Sequence, residues 1–243
     1  MQYQTLRAPQ QQFALYAESY PQKRAVEIPI DRATLAGDLV VPDSAVGAVL
    51  FAHGSGSSRH SPRNRYVAQV LQEAGLATLL LDLLTPEEEH FDNRTAALRF
   101  NIRLLAERLV VATQWLVAQP QTSQLPVGYF GASTGGAAAL VSATVVPELV
   151  SSVVSRGGRP DLAGTALRHV VAPTLLIVGG EDTIVLELNR KALELLPGEK
   201  RLEVVPGATH LFEEPGALEA VAELARDWLV RHLAAAGSRT RAA

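Results

Sequence analysis

The chain contains no cysteine. Disulfides and thiolate metal sites are therefore excluded, which fits a reducing compartment. Basic charge is not in excess: the formal net charge is -3 over 243 residues. An electrostatic nucleic-acid binder would need a concentrated basic surface, so that class is excluded. Long apolar runs are missing too. A membrane span needs roughly 18 apolar residues, and the longest candidate, 76–84, is interrupted by Thr78 and Asp82. The first twenty residues are polar and mixed (Gln2, Gln4, Arg7, Glu18) and lack the apolar stretch of a secretory signal. Together these absences predict a cytoplasmic protein with no membrane and no nucleic-acid partner. Repeats, linkers and low-complexity blocks are not found either.

Hydrophobic residues make up 47% of the chain and charged residues 19%, enough apolar material for a large core. The length suits one α/β domain over 1–243, with an irregular start at 1–21. The stretches 26–30 and 35–41 read as an antiparallel hairpin. Beyond them, short apolar runs alternate with helical patterns. Strands are expected at 48–52, 77–83, 127–130, 150–154, 174–178 and 201–205. Helices are expected at 64–74, 96–119, 135–145, 186–196 and 217–233. Residues 234–243 lack an apolar pattern and are expected to fray. The alternation predicts a mostly parallel sheet with helices on both faces. Runs such as Thr174-Leu-Leu-Ile-Val178 fit strands buried on both sides.

Gly131-Ala132-Ser133-Thr134-Gly135 matches G-x-S-x-G between a strand and a small-residue helix. That is the setting in which a sharp turn lifts a serine hydroxyl above the sheet. A serine is a poor nucleophile until a base takes its proton, and the base needs an acceptor on its other ring nitrogen. His210 and Asp182 each follow a predicted strand, so all three lie on the rim formed by the strands' carboxyl ends. Glu181 and Asp161 are the alternative acids. The Gly/Ser loop His53-Gly-Ser-Gly-Ser-Ser58 also follows a strand. Its Ser55 amide and the Thr134 amide are the candidate pair of oxyanion donors. His53 reads as a brace of that loop. His90, His169 and His232 read as surface or packed residues.

Arg156 and Arg159 fall just past a strand, near the same rim. Two readings stand: they bind a substrate anion, or they form internal ion pairs with Asp161, Glu213 or Glu214. Arg59, Arg63 and Arg65 follow the oxyanion loop. Glu87-Glu88-Glu89 reads as a solvated loop, with no metal site.

The motifs at His53–Gly56, Gly131–Gly135, Gly180–Asp182 and Gly207–His210, in a pattern running from 26 to 233, resemble the α/β-hydrolase superfamily. Within it they are most similar to the dienelactone hydrolase group. The resemblance implies an eight-stranded sheet, hydrolase activity and no cofactor. Dienelactone hydrolase itself uses a cysteine nucleophile, whereas this chain carries Ser133. Many relatives insert a cap domain after the sixth strand; the 18 residues of 155–172 leave room only for a short helix and a loop. The expected reaction is hydrolysis of a small-molecule ester or lactone. Thioester or amide cleavage by the same residues, and a non-catalytic binding role for the fold, are the alternatives.

Overall fold

A computed structural model describes residues 23–31 and 33–242. The irregular start expected at 1–21 lies outside the described residues. Eight strands form one sheet in the order β1-β2-β4-β3-β5-β6-β7-β8. The hairpin is there: β1 (Arg24–Ile30) runs antiparallel to β2 (Ala33–Val40), and β2 runs antiparallel to β4 (Leu76–Leu81). The other pairings are parallel. They join β4 to β3 (Gly47–Ala52), β3 to β5 (Val127–Ala132), β5 to β6 (Val150–Arg156), β6 to β7 (Thr174–Gly179) and β7 to β8 (Lys200–Val205).

Every residue of β3, β4, β5 and β7 is buried. This is why those strands read as continuous apolar runs rather than alternating ones. Helices cover both faces. On one face α3 (Ile102–Val117) and α4 (Thr134–Val145) pack Leu105, Leu109, Leu116 and Leu140 against Leu50, Leu79 and Tyr129. On the other, α1 (Pro62–Glu73) and α6 (Ala217–Ala242) pack Leu71, Val221, Trp228 and Leu229 against Val49, Phe51 and Phe130. Each fully buried side chain of this size contributes about 1.5–3 kcal/mol. Leu224 of α6 is only partly buried.

Three local expectations are corrected. Glu87-Glu88-Glu89 is not a loop but the first turn of α2 (Pro86–Thr95). Pro86 starts it, the Glu88 N–H donates to Thr85 Oγ1 at 3.2 Å, and the Thr85 N–H donates to Glu88 Oε2 at 2.9 Å. That reciprocal cap, with acids at the positive helix end, outweighs the lack of an apolar face. Second, the helix expected from 96 starts at Ile102. Ala96 adopts a left-handed conformation (φ 54°) that closes α2, and the Asn101 side chain caps α3. Third, α6 does not stop at 233 but runs to Ala242. Ala234, Ala235 and Ala236 carry high helix propensity, and no proline interrupts. Between β6 and β7 the chain forms only a 3-10 segment (Pro160–His169) and loops, with no cap domain. The remaining helix, α5 (Thr183–Leu195), follows β7.

Candidate active site

Ser133 sits at the junction of β5 and α4 with φ 51° and ψ -119°. A non-glycine residue there is strained. The strain is held from several sides. The Ser133 N–H donates to the Arg156 carbonyl at 3.2 Å, and the Ser133 carbonyl accepts from the N–H groups of Arg159 (3.1 Å) and Gly136 (3.0 Å). The turn also needs room. A Cβ at Gly135 would collide with the Ala52 carbonyl, and one at Gly131 would lie 2.5 Å from the Gly135 carbonyl. Small residues at these positions let α4 lie directly on the sheet.

His210 and Asp182 meet as expected. The His210 Nδ1 lies 2.6 Å from Asp182 Oδ2. The alternative acids are elsewhere: Asp161 binds Arg159, and Glu181 is exposed with no side-chain bond to His210. With Nδ1–H directed at the carboxylate, Nε2 is the nitrogen free to take a proton. The ring lies against the backbone of Gly157, where an added Cβ would be 3.5 Å from Nδ1 and Cε1. Ser133 and His210 thus flank one dipeptide, Arg156-Gly157.

Ser55 and Thr134 are also brought together. Their hydroxyls are 3.0 Å apart, and Ser55 Oγ donates to the Arg99 carbonyl at 3.4 Å. Thr134 is the first residue of α4, so its amide has no partner within the helix. Gly54 approaches Ser133 so closely that an added Cβ would be 3.1 Å from the serine Cβ.

His53 braces this loop, as the sequence suggested. Its Nε2 accepts from the Leu83 N–H at 3.1 Å, which places the proton on Nδ1, 2.9 Å from the Gly54 carbonyl. Burial pushes its pKa below the ordinary histidine value, partly opposed by the bond to Gly54. Beside Thr134 opens a cavity of about 30 Å³ between the Ser55 loop and the wall made by Leu84, Leu105, Asn93 and Arg99. That is room for a water-sized group or a little more. The wall is held by Asp92, which accepts from the N–H groups of Leu98 (2.7 Å) and Arg99 (3.0 Å) and from Arg99 Nε (2.7 Å). Burial would raise the Asp92 pKa, but these bonds hold it below the usual carboxylate range.

The two arginines differ. Arg159 forms an internal fork with Asp161 at 2.8 and 2.9 Å. Arg156 makes none of the expected ion pairs with Asp161, Glu213 or Glu214. It is buried, lies over the Phe212 ring at 5.7 Å and reaches Asn64 Oδ1 at 3.3 Å, with no carboxylate partner among the described residues. Burial first, and repulsion from Arg63 second, lower its pKa to about 10. Arg59 pairs with Asp82, Arg65 lies 3.7 Å from Asp38, and Arg63 binds Glu213 at 2.9 Å. Sequence reasoning missed Gly157, Gly158 and Asn189. The buried Asn189 amide donates to the Gly158 carbonyl at 2.9 Å and fixes the β6 loop from below. Two consecutive glycines directly after a strand that ends beside the nucleophile were the available signal. Among the described residues no cluster of acids and histidines could hold a metal, and no helix is long and apolar enough to cross a membrane.

Comparison with known proteins identifies the family and the fold. The dienelactone hydrolase family profile matches residues 35–234. The crystal structure of a dienelactone hydrolase from Anabaena variabilis is 64% identical, with a TM-score of 0.87 over 88% of this chain and 99% of that one. Est1E from Butyrivibrio proteoclasticus shares the fold at 16% identity, with a TM-score of 0.73 over 86% of this chain and 99% of its own. Two curated Mycobacterium tuberculosis proteins, provisionally named phosphoribosyl transferases, are 60% identical over 212 residues. That match covers 87% of this chain and 47% of each of theirs, so the chain spans about half the length of the curated relatives it matches.

Proposed function

The chain belongs to the dienelactone hydrolase family, and on that premise we propose that it is a serine hydrolase cleaving a small carboxylic ester or lactone through an acyl-enzyme on Ser133. The observation that carries this reading is the 2.6 Å contact of His210 with Asp182 on the rim beside a strained Ser133. His210 Nε2 takes the Ser133 proton as Oγ attacks the ester carbonyl. The resulting oxyanion is stabilised by the amides of Ser55 and Thr134 and by the positive end of α4. Collapse expels the alcohol, which receives the proton from His210. Water then attacks the acyl-enzyme with His210 again as base, releasing the acid and restoring Ser133. The sequence balances with water alone.

The small cavity beside Thr134 favours a short acyl group. Thioesters and amides pass through the same tetrahedral intermediate and are the near alternative. A binding-only protein would have no use for the strained serine and the paired histidine. We assign neither Arg156 nor Arg159 to a substrate anion, since one is buried and the other is committed to Asp161. Nor do we carry phosphoribosyl transfer over from the longer relatives, because the groups gathered at this rim are those of acyl transfer.

The test is hydrolysis of p-nitrophenyl esters from acetate to decanoate by wild type and Ser133→Ala, with fluorophosphonate labelling alongside. Activity that falls with chain length and vanishes in the variant supports the reading. An unlabelled, inactive wild type would leave the binding role.

A further inference from the structure

Arg156 touches two strained positions, Ser133 and Phe212. Its carbonyl accepts the Ser133 N–H at 3.2 Å. Its guanidinium lies 5.7 Å from the centroid of Phe212, two residues past His210. Phe212 is itself held at φ 56°, a conformation that a bulky L-residue rarely adopts. Both residues are almost wholly shielded, Phe212 at 1% exposure and Arg156 at 7%. A buried cation without a carboxylate partner is costly. Here it is compensated by the Phe212 ring face and by Asn64 Oδ1 on α1, while Nε has no partner and Arg63 repels it. Apolar packing alone would fill that space at lower cost, so the charge has a purpose other than stability.

We propose that Arg156 is a positioning residue that locks the loop carrying His210 to the turn carrying Ser133, through its cation on Phe212 and its carbonyl on Ser133. This rests on the acyl-enzyme reading above. The guanidinium fixes the ring of Phe212, and the strained backbone at 212 then has a single orientation. His210 is thereby pressed onto Gly157, the residue next to Arg156. Arginine suits this better than lysine because its planar cation stacks on an aromatic face.

The experiment compares Arg156→Met and Arg156→Lys with wild type, all checked for folding by circular dichroism. Three quantities are read: kcat and KM on p-nitrophenyl acetate, the rate of fluorophosphonate labelling, and the downfield Nδ1–H proton of His210, assigned by its loss in His210→Gln. The Met variant is expected to lose roughly 10- to 100-fold in kcat, the range for a slight misplacement of reacting groups. Its KM should change little, and its His210 proton should shift or broaden. The Lys variant should recover part of kcat. A Met variant with wild-type labelling and an unmoved His210 proton would overturn the inference, as would a Lys variant no better than Met. If Arg156→Met does not fold, Phe212→Leu keeps the cation and much of the apolar volume, and the same losses are expected of it. If the wild type itself is not labelled, the acyl-enzyme reading fails, and the His210 proton alone decides whether Arg156 positions that ring.

Discussion

The two shoulders of the nucleophile turn are built differently. On the side of β3, the loop from His53 to Ser58 is partly exposed and held by polar side chains. Its links are His53 to the Leu83 amide, Ser55 to Thr134 and Arg99, and Arg59 to Asp82. On the side of β6 and β8, the segments around Gly157 and Phe212 are held largely by backbone bonds and burial, joined by the Asn189 amide on Gly158 and by Arg156 on Asn64 and Phe212. These include Arg156 carbonyl to Ser133, the Gly157 amide to the Ile177 carbonyl at 2.7 Å, and Phe212 in the core. Polar side-chain links can be cut one at a time by substitution, each at modest cost. Backbone and packing links do not titrate, and a disturbance there moves His210 itself.

The contrast yields expectations of decreasing size. Ser133→Ala removes the group that both shoulders serve, and kcat on the preferred ester should fall by about 10⁶-fold. A residual rate far above that would mean that the turn is not where chemistry occurs. On the rigid side, Gly157→Ala forces a Cβ into a backbone at φ 51°, 3.3 Å from the His210 carbonyl. Steady-state kinetics should show kcat lower by about 10- to 100-fold with the fold intact. On the polar side, Ser55→Ala cuts the hydroxyl chain but leaves the Ser55 amide, the proposed oxyanion donor. It should cost less than about tenfold, below the loss expected when such a donor is removed. If Ser55→Ala proved worse than Gly157→Ala, the ranking of the two shoulders would be reversed.

The smallest effect should be one of pH. The His53 pKa is lower in the fold than the ordinary value of 6.5, so the unfolded chain takes up a proton first as pH falls. Stability from neutral His53 is therefore whole above 6.5 and is lost as pH drops from there through the folded value. Thermal melts between pH 7.5 and 5 should show this loss in wild type and a flatter profile in His53→Gln. That variant should itself be destabilised at pH 7.5 by about 1 kcal/mol, the value of a hydrogen bond. Melts of the two proteins that run parallel would show that the brace does not titrate.

The same division explains what could be read beforehand. The polar shoulder was legible because its chemistry is carried by short contiguous motifs, His53-Gly-Ser-Gly and Gly-Ala-Ser133-Thr-Gly. The pairing of His210 with Asp182 was legible because each follows a strand, and parallel strands bring their ends to one rim. The other shoulder was not legible. Arg156 and Arg159 look alike in sequence, yet one is buried over Phe212 and the other forks onto Asp161 at the surface. Helix α2 escaped notice because its stability comes from a cap and not from an apolar stripe.

By itself, then, the sequence determined the alternation of strands and helices, the parallel sheet and the identity of the groups at its rim. These follow from hydrophobic period and from turn residues a few positions apart. Only the tertiary structure decided which arginine was buried, and that Gly157 would lie under the His210 ring. Those outcomes depend on contacts between residues such as Asn64, Arg156 and Phe212, far apart in the chain, whose approach is set by how the helices settle on the sheet.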